Sequence, residues 1–372
     1  MTDLRSASDP LAELDRGAQR RVRTLGLVAA LLTAFLLLAT QGGLRQPLFD
    51  AFHRYAPAPV ASPKVQVVVV DAASLAALGG WPWSRYTMAR LTEQIAARGA
   101  KAIGYDFLFP EADRQAPGDF ARLYPELTGA AAAEVAALPS MDAVFARVIG
   151  RAPVVLARAG VEAESFDDRT ADTAKPAPAL LASDVRFEGE IPDSIPFYDG
   201  LVSNLEILDG AALGHGLANG PPDGDGVIRR VPLLGRPDGV LTPSLALELV
   251  RIAEGTDLIK LEGNAQALRT VRIGQHRVPV DASGRVELRL AVAPPEATAN
   301  TQKISTGERV PYRTHSAVEL LRQGGDPNLF KDSIVLVGLT AAGTSDVVTT
   351  PRNSETYGVF VQAQAVDAIL RS

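Results

Sequence analysis

The chain has 372 residues, 47% of them hydrophobic and 22% charged, with a formal net charge of −6. This composition supports one large or two ordinary cores and excludes wholesale disorder, and with no basic stripe beyond the first 25 residues there is no electrostatic footprint for nucleic acid. The absence of cysteine removes disulfides, thiolate catalysis and Cys-ligated zinc.

Residues 1–23 read as a cytoplasmic tail. Arg16, Arg20, Arg21 and Arg23 precede an uncharged run of Leu and Ala over 24–44, which includes Leu25, Leu31, Phe35 and Leu38. A helix of that length rises about 31 Å, the thickness of a bilayer core. Only Arg45 flanks the far side, so the positive-inside rule places the N-terminus in the cytoplasm and the rest of the chain outside. Leu38-Ala-Thr-Gln41 is a poor cleavage site, which favours an anchor over a cleaved signal peptide, and the length and flanks favour it over a core helix. Residues 45–63 read as a juxtamembrane linker: a short amphipathic helix, then a proline-rich spacer. The folded domain is expected over 64–372.

Val65-Gln-Val-Val-Val-Val-Asp71 and Ala102-Ile-Gly-Tyr-Asp-Phe-Leu-Phe109 are apolar runs too continuous for a sheet with one wet face. They predict two adjacent buried parallel strands with Asp71 and Asp106 at one edge. Between them lie a short helix capped by Ser74 and ended by Gly79, the turn Gly80-Trp-Pro-Trp-Ser-Arg85, and a helix over Tyr86–Arg98 ended by Gly99. Trp81 and Trp83 either plug the core beside a rigid turn or wall a pocket in which Arg85 faces an anion or a carboxylate. The acidic loop with Glu111, Asp113 and Asp119 reads as a solvated face, with a cation site as the alternative.

Helices are expected near 129–138 and 141–150, a strand at Pro153–Ala157, and an exposed insertion over 160–196. The paired Asp-Gly steps at Asp223 and Asp225 read as turn chemistry rather than a calcium loop, because the spaced acidic ligands and closing Glu are missing. An amphipathic helix over Ser244–Glu254 precedes antiparallel ribbons, in which 277–281 and 285–290 alternate across a Ser-Gly turn. A short strand is expected at 309–313, a helix at 316–323, a buried parallel strand at 333–339 and a closing helix from Gly358. The fold class is α/β: a mostly parallel mixed sheet with flanking helices and antiparallel hairpin additions, preceded by one transmembrane helix.

The four histidines lack metal-ligand spacing, the Gly338–Thr344 loop lacks a phosphate-binding Lys, and no Gly-x-Ser-x-Gly elbow is present. What remains is Asp71, Asp106 and Asp346, each ending or following a buried strand. They either hold a ligand or divalent cation, with Arg85 the nearest cation in sequence, or cap strand ends and loop amides. No cofactor is expected beyond such a cation.

The strand ending in Asp71, Ser74, the Gly80–Arg85 turn, Gly99–Phe109, Asp225-Gly-Val-Ile-Arg229, Ile334–Gly338, Asp346, Thr350-Pro351 and Gly358 resemble the second type of CHASE domain, over roughly 45–372. The resemblance implies the extracellular sensor of a bacterial receptor in the inner membrane, with an unknown small-molecule or protein ligand and a homodimeric assembly. The output implied is an adenylate or guanylate cyclase, a histidine kinase or a Ser/Thr kinase, absent from this chain, which itself is expected not to be an enzyme. The family often has a second acidic residue after the first strand's Asp, where this sequence has Ala72, and adds later membrane helices of which no hydrophobic span is visible here. The competing readings are a metal-assisted hydrolase using Asp71, Asp106 and Asp346, and a structural dimerisation module.

Overall fold

The computed structural model describes residues 10–40, 45–55, 60–162, 174–175, 185–292, 311–322, 324–341, 343 and 347–372. The chain divides into two compact units, Met1–Pro57 and Ala58–Ser372.

In the first unit a helix runs from Pro10 to Thr40 and a second from Arg45 to Tyr55. Every side chain described in the long helix, residues 21–37, is exposed, Leu25, Leu31 and Phe35 among them. Among the described residues no helix is long and apolar enough to cross a membrane. Residues 41–44 of the expected span, and the side chain of Leu38, lie outside what is described.

The second unit is built on a sheet with strand order Arg313–Ser316, Val65–Val70, Ile334–Leu339, Ala102–Tyr105, Val154–Val161 and Gly214–Leu217, all parallel. Gly200–Val202 adds antiparallel to the outer end of Val154–Val161. The expected mixed, mostly parallel sheet is therefore present. One expectation is corrected: the strands ending before Asp71 and Asp106 are not neighbours. Ile334–Leu339 hydrogen-bonds to both and lies between them, with Val70 opposite Leu339 and Tyr105 opposite Val337.

The continuous apolar runs arise because each face of the sheet is covered. Val65, Val67, Val69, Ile334, Leu336 and Ala102 point into one core, formed with the helices Leu245–Glu254 and Gly358–Leu370 and the antiparallel ribbons. Val68, Val70, Val335, Val337, Ile103 and Tyr105 point into the other, formed with Arg85–Ala97 and Met141–Ile149. The alternation is the two-residue period of a pleated strand with both faces buried. On the first face Gly104 and Gly338 are strand positions without a side chain. A Cβ on Gly104 would sit 2.6 Å from Leu249 Cδ1, and one on Gly338 would sit 2.4 Å from Val359 Cβ. The absent side chains let both helices approach the sheet closely.

Three local expectations change. The helix after the first strand is Ala72–Leu78 and is capped by Asp71, whose carboxylate accepts from the Ser74 amide at 2.9 Å. Ser74 is instead buried one turn in, and its hydroxyl accepts from the Val318 amide at 3.1 Å. The runs at 276–279 and 285–287 do not pair with each other: the first joins Ala267–Ile273 and the second joins Arg230–Pro232. At the turn between them Asp281 accepts from the Ser283 and Arg285 amides, and its carboxylate meets Arg285 and Arg230, which also face Asp223. The strand expected at 309–313 falls partly outside the described residues; the ordered strand is Arg313–Ser316.

His315 lies on that edge strand. Gln66 uses its amide nitrogen on the Leu329 carbonyl and the Ser333 hydroxyl, so its Oε1 accepts from His315 Nε2, at 2.8 Å. Burial, with Arg313 nearby, lowers the His315 pKa from 6.5 to about 4. The unfolded chain binds a proton below about pH 6.5 that the folded chain refuses until about pH 4, so stability present at neutral pH is lost as pH falls through that window. The melting temperature is expected to fall between pH 7 and 4, and His315→Asn to remove part of that slope. Gly338→Ala is expected to destabilise by about 1–3 kcal/mol through overpacking, read in urea titrations.

Candidate functional site

Ligands of open α/β sheets sit beyond the carboxyl ends of the parallel strands. At that edge Val65–Val70 runs into Asp71 and Ala102–Tyr105 into Asp106, both half-buried. The Asp106 amide donates to the Val337 carbonyl at 2.9 Å and the Thr340 amide to the Val70 carbonyl at 3.1 Å, so the ladder continues to the rim. Because one strand intervenes, the two aspartates stand two strand spacings apart, about 10 Å along the rim. Asp346, the third carboxylate of the expected cluster, lies outside the described residues. Among the described residues no group of three or more His, Asp or Glu is placed to hold a metal ion.

Asp71 does two structural tasks at once. Its Oδ1 accepts from the Ser74 amide and from the Ser316 hydroxyl, both at 2.9 Å, and Ser316 Oγ lies 3.0 Å from Ser74 Oγ. The carboxylate thus ties the start of the Ala72–Leu78 helix to the end of the edge strand, which are more than 240 residues apart in sequence.

The two tryptophans separate in role. Trp83 is buried and donates its indole N–H to the Gly79 carbonyl at 2.9 Å. Trp81 is half-buried at the rim, edge-on to Trp83 at 5.8 Å and to Phe107 at 4.9 Å. From Phe107 the edge-to-face series continues through Tyr105 and Phe109 to Phe145. Such pairs contribute about 0.5–1.5 kcal/mol each beyond their burial. The Tyr105 hydroxyl is 2.6 Å from Thr92 Oγ1, and its burial pushes the phenol pKa well above its usual range. The aromatic series thus runs from the buried Phe145 out to Trp81 and Phe107, its part-exposed members, the latter following Asp106 in the chain.

Arg85 is turned away from that surface. Its guanidinium lies over the Phe109 ring at 4.6 Å, faces Asp142 at 3.3 Å and donates to the Glu111 carbonyl at 2.8 Å. The Arg85 amide donates to Asp113 Oδ2 at 2.6 Å, and the Asp113 amide to Asp142 Oδ2 at 3.0 Å. Burial lowers the Arg85 pKa, opposed by the nearby Asp142 and Asp113. The acidic loop is thus not a uniformly solvated face: Asp113 is buried, and Arg85 holds the loop down over the aromatic series.

A second buried node escaped sequence reasoning. Asn204 accepts from the Phe109 amide at 2.8 Å and donates to the Ala157 carbonyl and to Asp209. Asp209 in turn accepts from Arg158 at 3.1 Å and faces His215 at 3.4 Å. Burial alone would raise the Asp209 pKa; the bond to His215 and the charge of Arg158 outweigh it and hold the carboxyl below its usual range. The only available cue was an Arg inside an otherwise apolar strand, which demands a buried partner. In the Asp-Gly loop, Arg229 plays the cation's part, bonding Asp223 at 3.2 Å and Asp225 at 2.7 Å and holding the Asp225 pKa down to about 2.

Removing one partner from a buried ion pair leaves the other charge uncompensated, at a cost of about 3–5 kcal/mol. Arg85→Met, which keeps the stem against Phe109, is expected to lower stability by an amount of that order in urea titrations. Asp142→Asn in the same background should restore part of it.

No curated protein and no solved structure matches the chain. The profile of the CHASE2 domain, a sensory extracellular family rather than a catalytic one, matches residues 25–372. That match takes in both faces of the sheet, the Gly80–Arg85 turn and the Asp225–Arg229 loop, and it shows that this chain belongs to the CHASE2 domain family.

Proposed function

We propose that this chain is the sensor region of a bacterial transmembrane receptor, lying outside the inner membrane with its N-terminus in the cytoplasm. Membership of a sensory extracellular family supports this reading. So does the helix Pro10–Thr40, which exposes an apolar row from Val22 to Leu37 that water would disfavour and lipid would accept. The output it controls is an adenylate or guanylate cyclase, or a histidine or Ser/Thr kinase, carried outside this chain, and the working assembly is a homodimer.

The observation that carries the ligand reading is the carboxyl edge of the sheet. Asp71, Trp81, Asp106 and Phe107 are half-buried there on a rigid parallel scaffold, while Trp83 and Arg85 brace it from beneath. Two carboxylates one strand apart, with the part-exposed rings of Trp81 and Phe107 following on from Asp106, suit a small ligand bearing a positive group, or a divalent cation bridging a ligand to one carboxylate. A ligand that favours one arrangement of the edge shifts the balance between two states of the sensor by its difference in affinity for them.

A thermal-shift screen of divalent cations and small metabolites tests this. A ligand at 100 times its Kd is expected to stabilise by about 2.7 kcal/mol, without turnover. Asp106→Asn should abolish the shift, and so should Asp71→Asn, whose amide oxygen still caps the helix. A shift retained in both variants removes those residues from the site. A reporter fused at Gly200 is expected to be active only as a periplasmic reporter; activity of a cytosolic one would sink the topology.

A further inference from the structure

The amino edge of the sheet, opposite the candidate site, holds a cluster that the functional reading does not use. Residues 60–64 lead into the Val65–Val70 strand. Val60 pairs with Val292, and the Ala61 amide donates to the Val292 carbonyl at 3.0 Å. The last turn of the helix Gly358–Leu370 closes over this segment. Asp367, only 3% exposed, accepts from Arg371 Nε at 2.9 Å, from the Tyr312 hydroxyl at 3.4 Å and from the Ser62 amide. Arg371 also donates to the Val60 carbonyl.

One carboxylate and one guanidinium therefore bond both the segment that enters the central sheet and the helix that packs across it. Neither contact is needed to close a helix or a strand. Burial pushes the Asp367 carboxyl up from its usual range against the pull of Arg371, so its charge depends on these few donors. The Asp71 cap stands at the other end of the same six-residue strand, about 20 Å away. That strand is hydrogen-bonded to a neighbour on each side.

We infer that the Asp367–Arg371 pair is a two-state clasp: closed as described, and open when residues 60–62 are released from the last turn of the helix. The sensor reading gives the clasp its purpose, which is to set how firmly the domain grips the segment that tethers it. Coupling between two places in a protein requires contacts that differ between two states. Here those contacts are Arg371 with Val60 and Asp367 with Ser62.

Amide hydrogen exchange on the full chain in detergent, with no ligand added, tests the clasp. Arg371→Gln is expected to accelerate exchange at Ala61 and Ser62 tenfold or more while residues 334–339 keep their wild-type protection. Tyr312→Phe, which keeps the core volume and deletes one donor to Asp367, should give a smaller increase at the same amides. Wild-type protection of Ala61 and Ser62 in Arg371→Gln, or acceleration spread equally through 334–339, overturns the proposal. Both outcomes are independent of the ligand reading, which stands or falls on the melting-temperature shifts of the wild-type chain and its Asp71→Asn and Asp106→Asn variants.

Discussion

The larger unit depends on a strand that arrives late in the chain. Ile334–Leu339 is hydrogen-bonded along both edges, to Val65–Val70 and to Ala102–Tyr105, and five of its six residues are buried. Its backbone groups have no water to turn to, so the sheet is complete only when this strand is in place. It separates Asp71 from Asp106 and carries Thr340 to the rim. Through Gly338 it also sets how closely the helix Gly358–Leu370 lies on the sheet. A loop closure of more than 260 residues precedes those contacts, and such non-local pairing is the slow part of folding in parallel sheets.

Around this frame the buried charges follow one pattern. Arg85 with Asp113 and Asp142, Arg158 with Asp209, and Glu248 with Arg251 each close inside the domain. A buried ion pair contributes little net stability once desolvation is counted, but each of its members is costly to remove. The consequence is geometric. Arg85 holds the acidic loop over the aromatic series, and Asn204 with Asp209 pins the outgoing end of the fourth strand to the fifth. The groups left half-exposed at the carboxyl edge are held by neighbours that are themselves fixed, which is what a binding surface of defined shape requires.

Much of this was legible in the sequence, and the reason is local. A valine run between Lys64 and Asp71 has few alternatives to a doubly covered strand, and the helix Arg85–Ala97, expected over Tyr86–Arg98, is announced by Gly99 after it. The resemblance carried by Gly80–Arg85, Gly99–Phe109 and Asp225–Arg229 pointed to the CHASE family before any coordinates. What misled was proximity in sequence. Asp113 read as solvent-facing because loop carboxylates usually are, whereas Arg85 lies 28 residues away and supplies a buried partner. Ser74 read as a helix cap because it precedes an apolar turn, whereas its hydroxyl is spent on the Val318 amide, 244 residues on.

The one-dimensional information settled the type and ends of most elements, the two-faced burial of the central strands and the family, because propensity, capping and residue period act over a few residues. It could not settle which strand lies beside which. Strand order is decided by hydrogen bonds and packing between segments hundreds of residues apart, and a one-place change in that order doubles the distance between Asp71 and Asp106. The pairing of each buried charge, and the meeting of Arg371 with Val60, belong to the tertiary structure for the same reason: opposite charges and free carbonyls find their partners in space, with no fixed spacing along the chain.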